Sequence, residues 1–465
     1  MIPTSMVATL LAMAATATGQ APFEHRGAYL NIAYGFSAAP LSPDTWSARE
    51  WAEYLDGLSA AGITHLHFFL WGDIELSVHD STVNAERNAQ LHRRLRVVIR
   101  EAHRRGLKVV FWFSPSLIPQ DIHAAHPELH AESVYAGFPL LCLSRPESWS
   151  LMQRVYGEEL RWFAEADAFS VIPYDPGGCM CGECAPRQPE LLEQLAMTFG
   201  GIAREVNPDA ELIVCLWASW AIEAEIGQTI REPFLDRLAE AVAEPADITI
   251  MDSAVEPRTS LGMARDRGFR TLAFEALTDW ENGWWFPAPL YAEAQHIVTR
   301  AAGVGAEGVV TQCLRPGSRS IATWVLAALM ADPNASRTDA LAAYARHIAP
   351  DASSPEGLVE ALETLDDAVL RGADASTWLR IAQAVEGALG RPAGEGETQL
   401  RSIVEGARLL SIASAAYDSP PGADDAYATF GELRLESVYA RVSVTEETFD
   451  LLGKWAREGR GEHQF

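Results

Sequence analysis

The chain has 465 residues, of which 48% are hydrophobic and 21% charged, so it is long enough and apolar enough to bury a large core. Its 63 acidic residues outnumber its 36 basic residues and give a formal net charge of −27. An acidic surface repels phosphate backbones and anionic membranes, which excludes nucleic acid and membranes as expected partners.

The N-terminal segment is typical of an export signal. An apolar run from Met6 to Ala17 is followed by small residues, although the usual positive charges are missing before it. We expect residues 1–21 to be a signal peptide and the protein to be secreted or periplasmic. If the segment is not a signal peptide, the expected location is the cytoplasm. No other stretch approaches the ~20 apolar residues of a membrane span.

Strand-like and helical segments alternate regularly after Pro22. Two of the predicted helices end at Gly62 and Gly106, and each is followed at once by a β-branched or aromatic run. This alternation predicts a (β/α)8 TIM barrel over residues 22–350, and no GxGxxG or P-loop follows any strand. The eight predicted strands are 27–36, 63–73, 107–117, 168–174, 211–220, 247–254, 271–277 and 307–314.

Strand signals disappear beyond Pro350. The pattern predicts an all-helical C-terminal domain over residues 351–465, which packs on the barrel or forms a homodimer contact. Its predicted helices are 355–371, 376–389, 398–417, 424–440 and 445–457.

The stretch AFSVIPYDPGGCMCGECAP, residues 168–186, combines a buried strand, a carboxylate and a cysteine-rich turn. Asp175 either works chemically at the strand end or only caps the turn that follows. Three cysteines lie just beyond it at CxCxxC spacing. Several structural interpretations stay open for Cys179, Cys181 and Cys184. In an exported protein they form one disulfide and leave one thiol, or Cys142 joins them in a second bridge; in the cytosol they bind zinc with Cys142 as the fourth ligand.

Carboxylates follow three of the predicted strands. Asp175, Asp252 and Glu275 end the fourth, sixth and seventh strands, and Asp73 and Glu256 are further acidic residues near strand ends. Glycosidic bond cleavage needs one carboxyl group as an acid and another as a base or nucleophile. We expect Asp175, Asp252 and Glu275 to line one pocket. Because their strands are not all adjacent, a wide separation and an inverting mechanism are expected.

Aromatic residues near the same strand ends predict a carbohydrate cleft, because flat rings pack on the apolar faces of sugars. His65 and His67 alternate within the second strand and are expected to be satisfied barrel residues, since no metal-binding spacing accompanies them. The predicted substrate-binding residues are Tyr34, Trp71, Tyr174, Trp217, Trp280, Trp284, Trp285 and Arg315.

Several of these motifs resemble glycoside hydrolase barrels of the α-glucuronidase and β-hexosaminidase type over roughly residues 27–350. The similar pieces are LCLSRPES, YDPGGCMCGEC and the block SIATWVLAALMADPNASRTDALAAYARHIAP. MDSAVEPRTSLG and FEALTDWENGWWFP are similar to the α-glucuronidase loops that supply a carboxylate pair. That resemblance implies catalytic roles for Asp252 and Glu275.

We therefore expect a glycoside hydrolase-like enzyme that cleaves an oligo- or polysaccharide. The alternative is a carbohydrate-binding barrel without catalysis, because a fold alone does not confer activity. No cofactor is expected apart from a structural zinc ion at the cysteines.

Overall fold

Eight parallel strands form a closed barrel in chain order, which confirms the predicted TIM barrel. The structure is a computed structural model, and it describes residues 23–32, 43–133, 137–173, 178–255, 259–275, 289–312, 320–350, 355–388 and parts of 400–414. The strands are β1 (His25–Asn31), β2 (His65–Phe69), β3 (Lys108–Phe113), β4 (Ala168–Val171), β5 (Glu211–Cys215), β6 (Ile248–Asp252), β7 (Arg270–Glu275) and β8 (Gly308–Gln312).

The barrel closes between β8 and β1, where His25 pairs with Gly308 and Tyr29 pairs with Gln312. This closure depends on a glycine. A Cβ atom on Gly308 would lie 2.4 Å from the carbonyl oxygen of His25, which is closer than van der Waals contact allows.

Helices connect the strands and surround the barrel. The sequence sets both ends of the first helix, Ala48–Ala61. Ser47 and Glu50 form a capping box at its start, and Gly62 ends it in the left-handed conformation at φ 85°. The other helices of eight or more residues up to Ile348 are Ala85–Arg104, Pro146–Glu159, Gln188–Val206, Ser219–Ile226, Arg231–Ala241, Tyr291–Gly303, Ser320–Ala331 and Arg337–Ile348.

Two apolar layers stabilise the barrel. One lies between the strands and the helices and includes Ile250 and Ala273. The other fills the barrel interior with large rings, so the barrel is a packed core and not a channel. In the interior layer, Tyr29 lies 4.6 Å from Trp112, and Trp112 lies 5.0 Å from Phe274, measured between ring centroids.

Three histidines occupy the end of the barrel where the strands begin. The indole N–H of Trp112 donates to His67 Nδ1 at 2.8 Å, so the proton of His67 sits on Nε2. The Nε2 atom of His67 lies 2.8 Å from the Nε2 atom of His25 and donates its hydrogen to it. Because His25 Nε2 accepts this hydrogen bond, it carries no proton, and His25 is neutral as well. Burial lowers the pKa of both His25 and His67 well below the ordinary value. The prediction that His65 and His67 are barrel residues is confirmed, and His65 stacks on His25 with 3.5 Å between ring centroids.

Two further helices follow the barrel, Pro355–Arg371 and Ala375–Ala388, and helical residues recur between 400 and 414. Both agree with the predicted helices to within a residue. The predicted helices 424–440 and 445–457 lie outside the described residues, as do the signal-peptide residues 1–21. Among the described residues, no helix is both long and apolar enough to cross a membrane.

Candidate active site

The described part of the barrel mouth, where the strands end, carries two of the predicted tryptophans. Trp71 follows β2 and stacks on Phe138, with 5.8 Å between ring centroids and 12° between ring planes. Trp217 follows β5 and packs edge-on against Phe274, with 5.9 Å between centroids. Both tryptophans therefore rest on the interior aromatic layer, and Trp217 stays partly exposed.

Asp73 is a partly exposed carboxylate beside Trp71 in the loop after β2. Burial raises the pKa of Asp73, while the side chain of Gln120 and the backbone of Ile74 donate hydrogen bonds that oppose the rise. Its Oδ1 atom is buried and has no hydrogen-bond partner within the described structure. Buried acceptors are nearly always paired, so this oxygen can accept one further hydrogen bond, from an ordered water or from a ligand hydroxyl.

Glu75 lies two residues further along and is completely buried. Its Oε2 atom accepts the backbone N–H of Trp71 at 2.8 Å. Burial raises the pKa of Glu75 to about 8, so this side chain is mostly protonated at pH 7. Glu75 thus holds the backbone of the loop that presents Trp71 and Asp73.

Asp252, at the end of β6, has no solvent exposure. Its carboxylate accepts the backbone N–H of Ser253 at 2.8 Å, the backbone N–H of Ser260 at 2.9 Å and the hydroxyl of Ser260 at 2.6 Å. Arg231 lies 3.9 Å away. Burial raises the pKa of Asp252 to about 6, against the lowering effect of these donors. The carboxylate joins the end of β6 to the start of the helix Leu261–Asp266.

Glu275, at the end of β7, is 7% exposed. Its Oε1 atom accepts the backbone N–H of Ala254 at 2.7 Å, and its Oε2 atom lies 3.6 Å from Arg300. Burial raises the pKa of Glu275, and the Arg300 guanidinium opposes that rise.

The expectation that Asp252 and Glu275 open into a pocket needs correction. In each strand the neighbouring residue, Met251 or Phe274, packs in the barrel interior. Because side chains alternate along a strand, the two carboxylates turn to the outer side, toward the helices. They lie at the correct end of the barrel, but their contacts anchor loops. A catalytic role for either one stays a prediction.

The remaining predicted site residues lie outside the described residues, and their roles stay predictions. They are Asp175, Tyr34, Tyr174, Trp280, Trp284, Trp285 and Arg315.

The four predicted cysteines come together beside the mouth. The sulfur of Cys142 lies 3.8 Å from the sulfurs of Cys181 and Cys184, and all four sulfurs lie within 4.8 Å of one another. All four are free cysteines. Hydrogen bonding from Cys179 lowers the pKa of Cys184 to about 5, whereas the same contact raises the pKa of Cys179. Such a cluster has the composition and proximity of a metal site.

Sequence reasoning named Asp73 only as a strand-end acid and overlooked Glu75. Two signals were available. Asp73 comes a few residues after the aromatic run of β2, a position at the barrel mouth where the parallel strands end. A second carboxyl group two residues after the first, in an apolar loop, indicates a buried acid with a raised pKa.

The fold is similar to that of two solved glycoside hydrolases. One is a GH138 enzyme targeting pectin rhamnogalacturonan II, with a TM-score of 0.55 and 10% identity over 85% of this chain and 58% of that chain. The other is a GH89 enzyme from Clostridium perfringens in complex with its substrate GlcNAc-α-1,4-galactose, with a TM-score of 0.57 and 13% identity over 85% of this chain and 50% of that chain.

These likenesses confirm the predicted glycoside hydrolase-type barrel as a fold. The chain spans only 58% and 50% of the length of the two enzymes, and the low identities carry no statement about its own substrate. No protein-family model matches the sequence, and no curated protein matches it.

Proposed function

We propose that this chain is a glycosidase that cleaves an oligo- or polysaccharide at the mouth of its barrel. The observation that carries the proposal is the buried Oδ1 atom of Asp73, which has no hydrogen-bond partner among the described residues and lies two residues after Trp71 in the loop that follows β2. An acceptor oxygen and an aromatic residue in one loop at the barrel mouth suit a sugar, which offers hydroxyl groups and an apolar face. The likeness in fold to two glycoside hydrolases supports this interpretation.

We assign the general acid to Asp175, which follows β4 in the sequence, and the water-activating base to Asp73, which follows β2. Asp252 and Glu275 then hold the loops after β6 and β7. This assignment replaces them as base because both are occupied by internal hydrogen bonds. With β3 between the two strands, a wide separation of the carboxyl groups and hence inversion is expected.

The proposed enzyme needs no cofactor, is exported and forms a homodimer. Carboxylates cleave glycosidic bonds without a cofactor. The N-terminal segment favours export to a secreted or periplasmic location. The helices after the barrel offer a surface for a homodimer.

The test is hydrolysis of a panel of aryl glycosides and plant or algal oligosaccharides by the full chain. Asp73→Asn and Asp175→Asn are each expected to lower kcat by roughly 10²–10⁴-fold on any substrate that is cleaved. Asp247→Asn is the control, because Asp247 is exposed at the opposite end of β6. Proton NMR of the first-formed product decides between inversion and retention.

One observation favours a second candidate function. Two of the three carboxylates predicted to be catalytic are committed to internal contacts, as expected for a barrel that binds carbohydrate without cleaving it. Calorimetric binding of an oligosaccharide that Trp217→Ala weakens, with no product formed by the wild type over the whole panel, would favour this second function and refute the first.

A further inference from the structure

The four-cysteine cluster has the dimensions of a mononuclear metal site. A zinc ion bound by four thiolates at about 2.3 Å requires sulfurs about 3.8 Å apart along each edge of the tetrahedron. Cys142 lies 3.8 Å from both Cys181 and Cys184, and no pair within the cluster of four exceeds 4.8 Å. We propose that Cys142, Cys179, Cys181 and Cys184 bind one zinc ion in a closed tetrathiolate site. The proposal does not depend on the proposed glycosidase activity.

Polar groups around the sulfurs are placed to stabilise thiolates. The hydroxyl of Ser144 lies 3.0 Å from Cys142 Sγ, and the backbone of Ser144 also donates to that sulfur. Backbone groups of Cys181 and Glu132 donate to Cys179 Sγ. Four thiolates around one Zn²⁺ leave a net charge of −2, and donors of this kind partly offset that charge.

The shell outside these donors is apolar. The cluster packs on Leu191, with Leu143 and Trp149 beside it, and three of its cysteines are buried. All four coordination positions would be filled by protein, which leaves none for water or substrate. A closed site of this kind is structural and not catalytic.

The ion would join two loops of the barrel mouth. Cys142 belongs to the long connection after β3, and Cys184 lies 42 residues later, in the connection after β4. The two connections already touch, since Ser133 forms a β-bridge with Cys179 and the N–H of Met180 donates to the carbonyl of Glu132 at 2.6 Å. Zinc would therefore fix the loop after β4 against the loop after β3.

Other uses of the cysteines fit the geometry less well. A disulfide needs its two sulfurs at about 2.05 Å, so two disulfides would divide the four sulfurs into separate pairs. Here Cys142 is equally distant from two other sulfurs. A single tetrahedral iron ion fits the same cage, and the metal analysis below distinguishes it from zinc.

The experiment measures metal content in the full chain purified from zinc-supplemented medium. Inductively coupled plasma mass spectrometry should find one zinc per chain. Cys181→Ala should lower the apparent zinc affinity roughly tenfold or more, because even the loss of an outer hydrogen bond to a ligand costs this much. Cys215→Ala is the matched control, since Cys215 is a buried cysteine on β5 that packs in the barrel interior and does not belong to the four-cysteine cluster.

A second measurement needs no variant and stays valid if Cys181→Ala fails to fold. Replacement of the metal in the wild-type chain by Co²⁺ should produce the intense visible bands of tetrahedral cobalt with a near-ultraviolet thiolate charge-transfer band. Iron in place of zinc would overturn the identity of the metal. Less than roughly a tenth of an equivalent of any metal, with four reactive thiols or two disulfides by mass spectrometry, would overturn the site itself.

Discussion

Substitution of Asp252 by Asn separates a loop-anchoring role from a catalytic one. An amide has a single acceptor oxygen, whereas the carboxylate accepts from both Ser253 N–H and Ser260 N–H. One of these buried donors therefore loses its partner in Asp252→Asn. The expected loss in the free energy of unfolding at pH 7 is about 1–3 kcal/mol.

The free energy of unfolding should also depend on pH in a direction that can be stated. Burial raises the pKa of Asp252 to about 6 from an ordinary value of 3.8. Between about pH 4 and pH 6 the folded state holds a proton on Asp252 that the unfolded state has released. The stability that this group gives the wild type is therefore lost as the pH rises from 4 through 6. The full window is worth about 3 kcal/mol, of which about 1 kcal/mol falls between pH 5 and pH 7. Asn does not titrate, so the deficit of the variant should be larger at pH 5 than at pH 7 by about that amount.

Urea unfolding followed by circular dichroism at pH 5 and pH 7 measures both quantities, and Asp247→Asn serves as the control. Hydrolysis of the best substrate is measured on the same samples. A variant as stable as the wild type at both pH values would refute the anchoring role. If such a variant had also lost activity by 10²-fold or more, the catalytic prediction for Asp252 would hold instead.

Four more expectations follow from the described contacts. Glu75→Gln should match the wild type near pH 4, where the carboxyl is protonated in both the folded and the unfolded state, and its advantage in urea unfolding should grow by about 2–3 kcal/mol between pH 6 and pH 9. The wild type loses this stability because its buried carboxyl, with a pKa of about 8, keeps a proton that the unfolded chain has released; equal pH dependence of the two proteins would contradict this. Trp112→Phe should lower the free energy of unfolding by about 1–3 kcal/mol, since His67 Nδ1 loses its donor; an unchanged urea midpoint would show that the bond is not formed. Trp217→Ala should raise KM up to about tenfold with kcat nearly constant, as expected for the loss of one stacking ring; a change confined to kcat would place it at the reacting bond. Removal of metal by a chelator should lower the melting temperature of the wild type more than that of Cys181→Ala, which binds zinc less tightly and gains less stability from it; identical shifts in both would indicate a nonspecific effect.

The sequence was sufficient for the barrel because each strand is a short apolar run after a helix with a readable end, such as Gly62. It was less reliable where an apolar run passes beyond its strand. The fifth strand was predicted through Trp220, but β5 ends at Cys215 and a helix begins at Ser219. Ala218, with φ 70°, makes the turn between them, and no glycine or proline marks it.

The candidate site was harder to predict, for a related reason. Position at a strand end was read correctly for Asp252 and Glu275, but the direction of their side chains depends on alternation along the strand. Met251 and Phe274 point inward, so the carboxylates cannot. The joining of Cys142 to the CxCxxC cysteines had been left open, since only tertiary structure decides which distant thiol completes a cluster.

Three neutral histidines lie at the end of the barrel where the strands begin, and they make the stability of the protein sensitive to acid. Burial lowers the pKa of His25 and His67 strongly and that of His65 to about 3, and Lys108 and Arg270 add to the effect on His65. Unfolding therefore takes up three protons once the pH falls below the ordinary histidine value of 6.5. Each uptake costs the folded state about 1.4 kcal/mol per pH unit, or about 4 kcal/mol per unit for the three together.

Buried carboxyl groups oppose this dependence, because the pKa values of Glu75, Asp252 and Asp366 are raised to about 8, 6 and 6, so protonation favours their folded state as the pH falls. Their combined gain between about pH 6.5 and pH 4 is of the same order as the loss from the histidines. Mild acid should therefore change the stability of the barrel by much less than the histidines alone would cause.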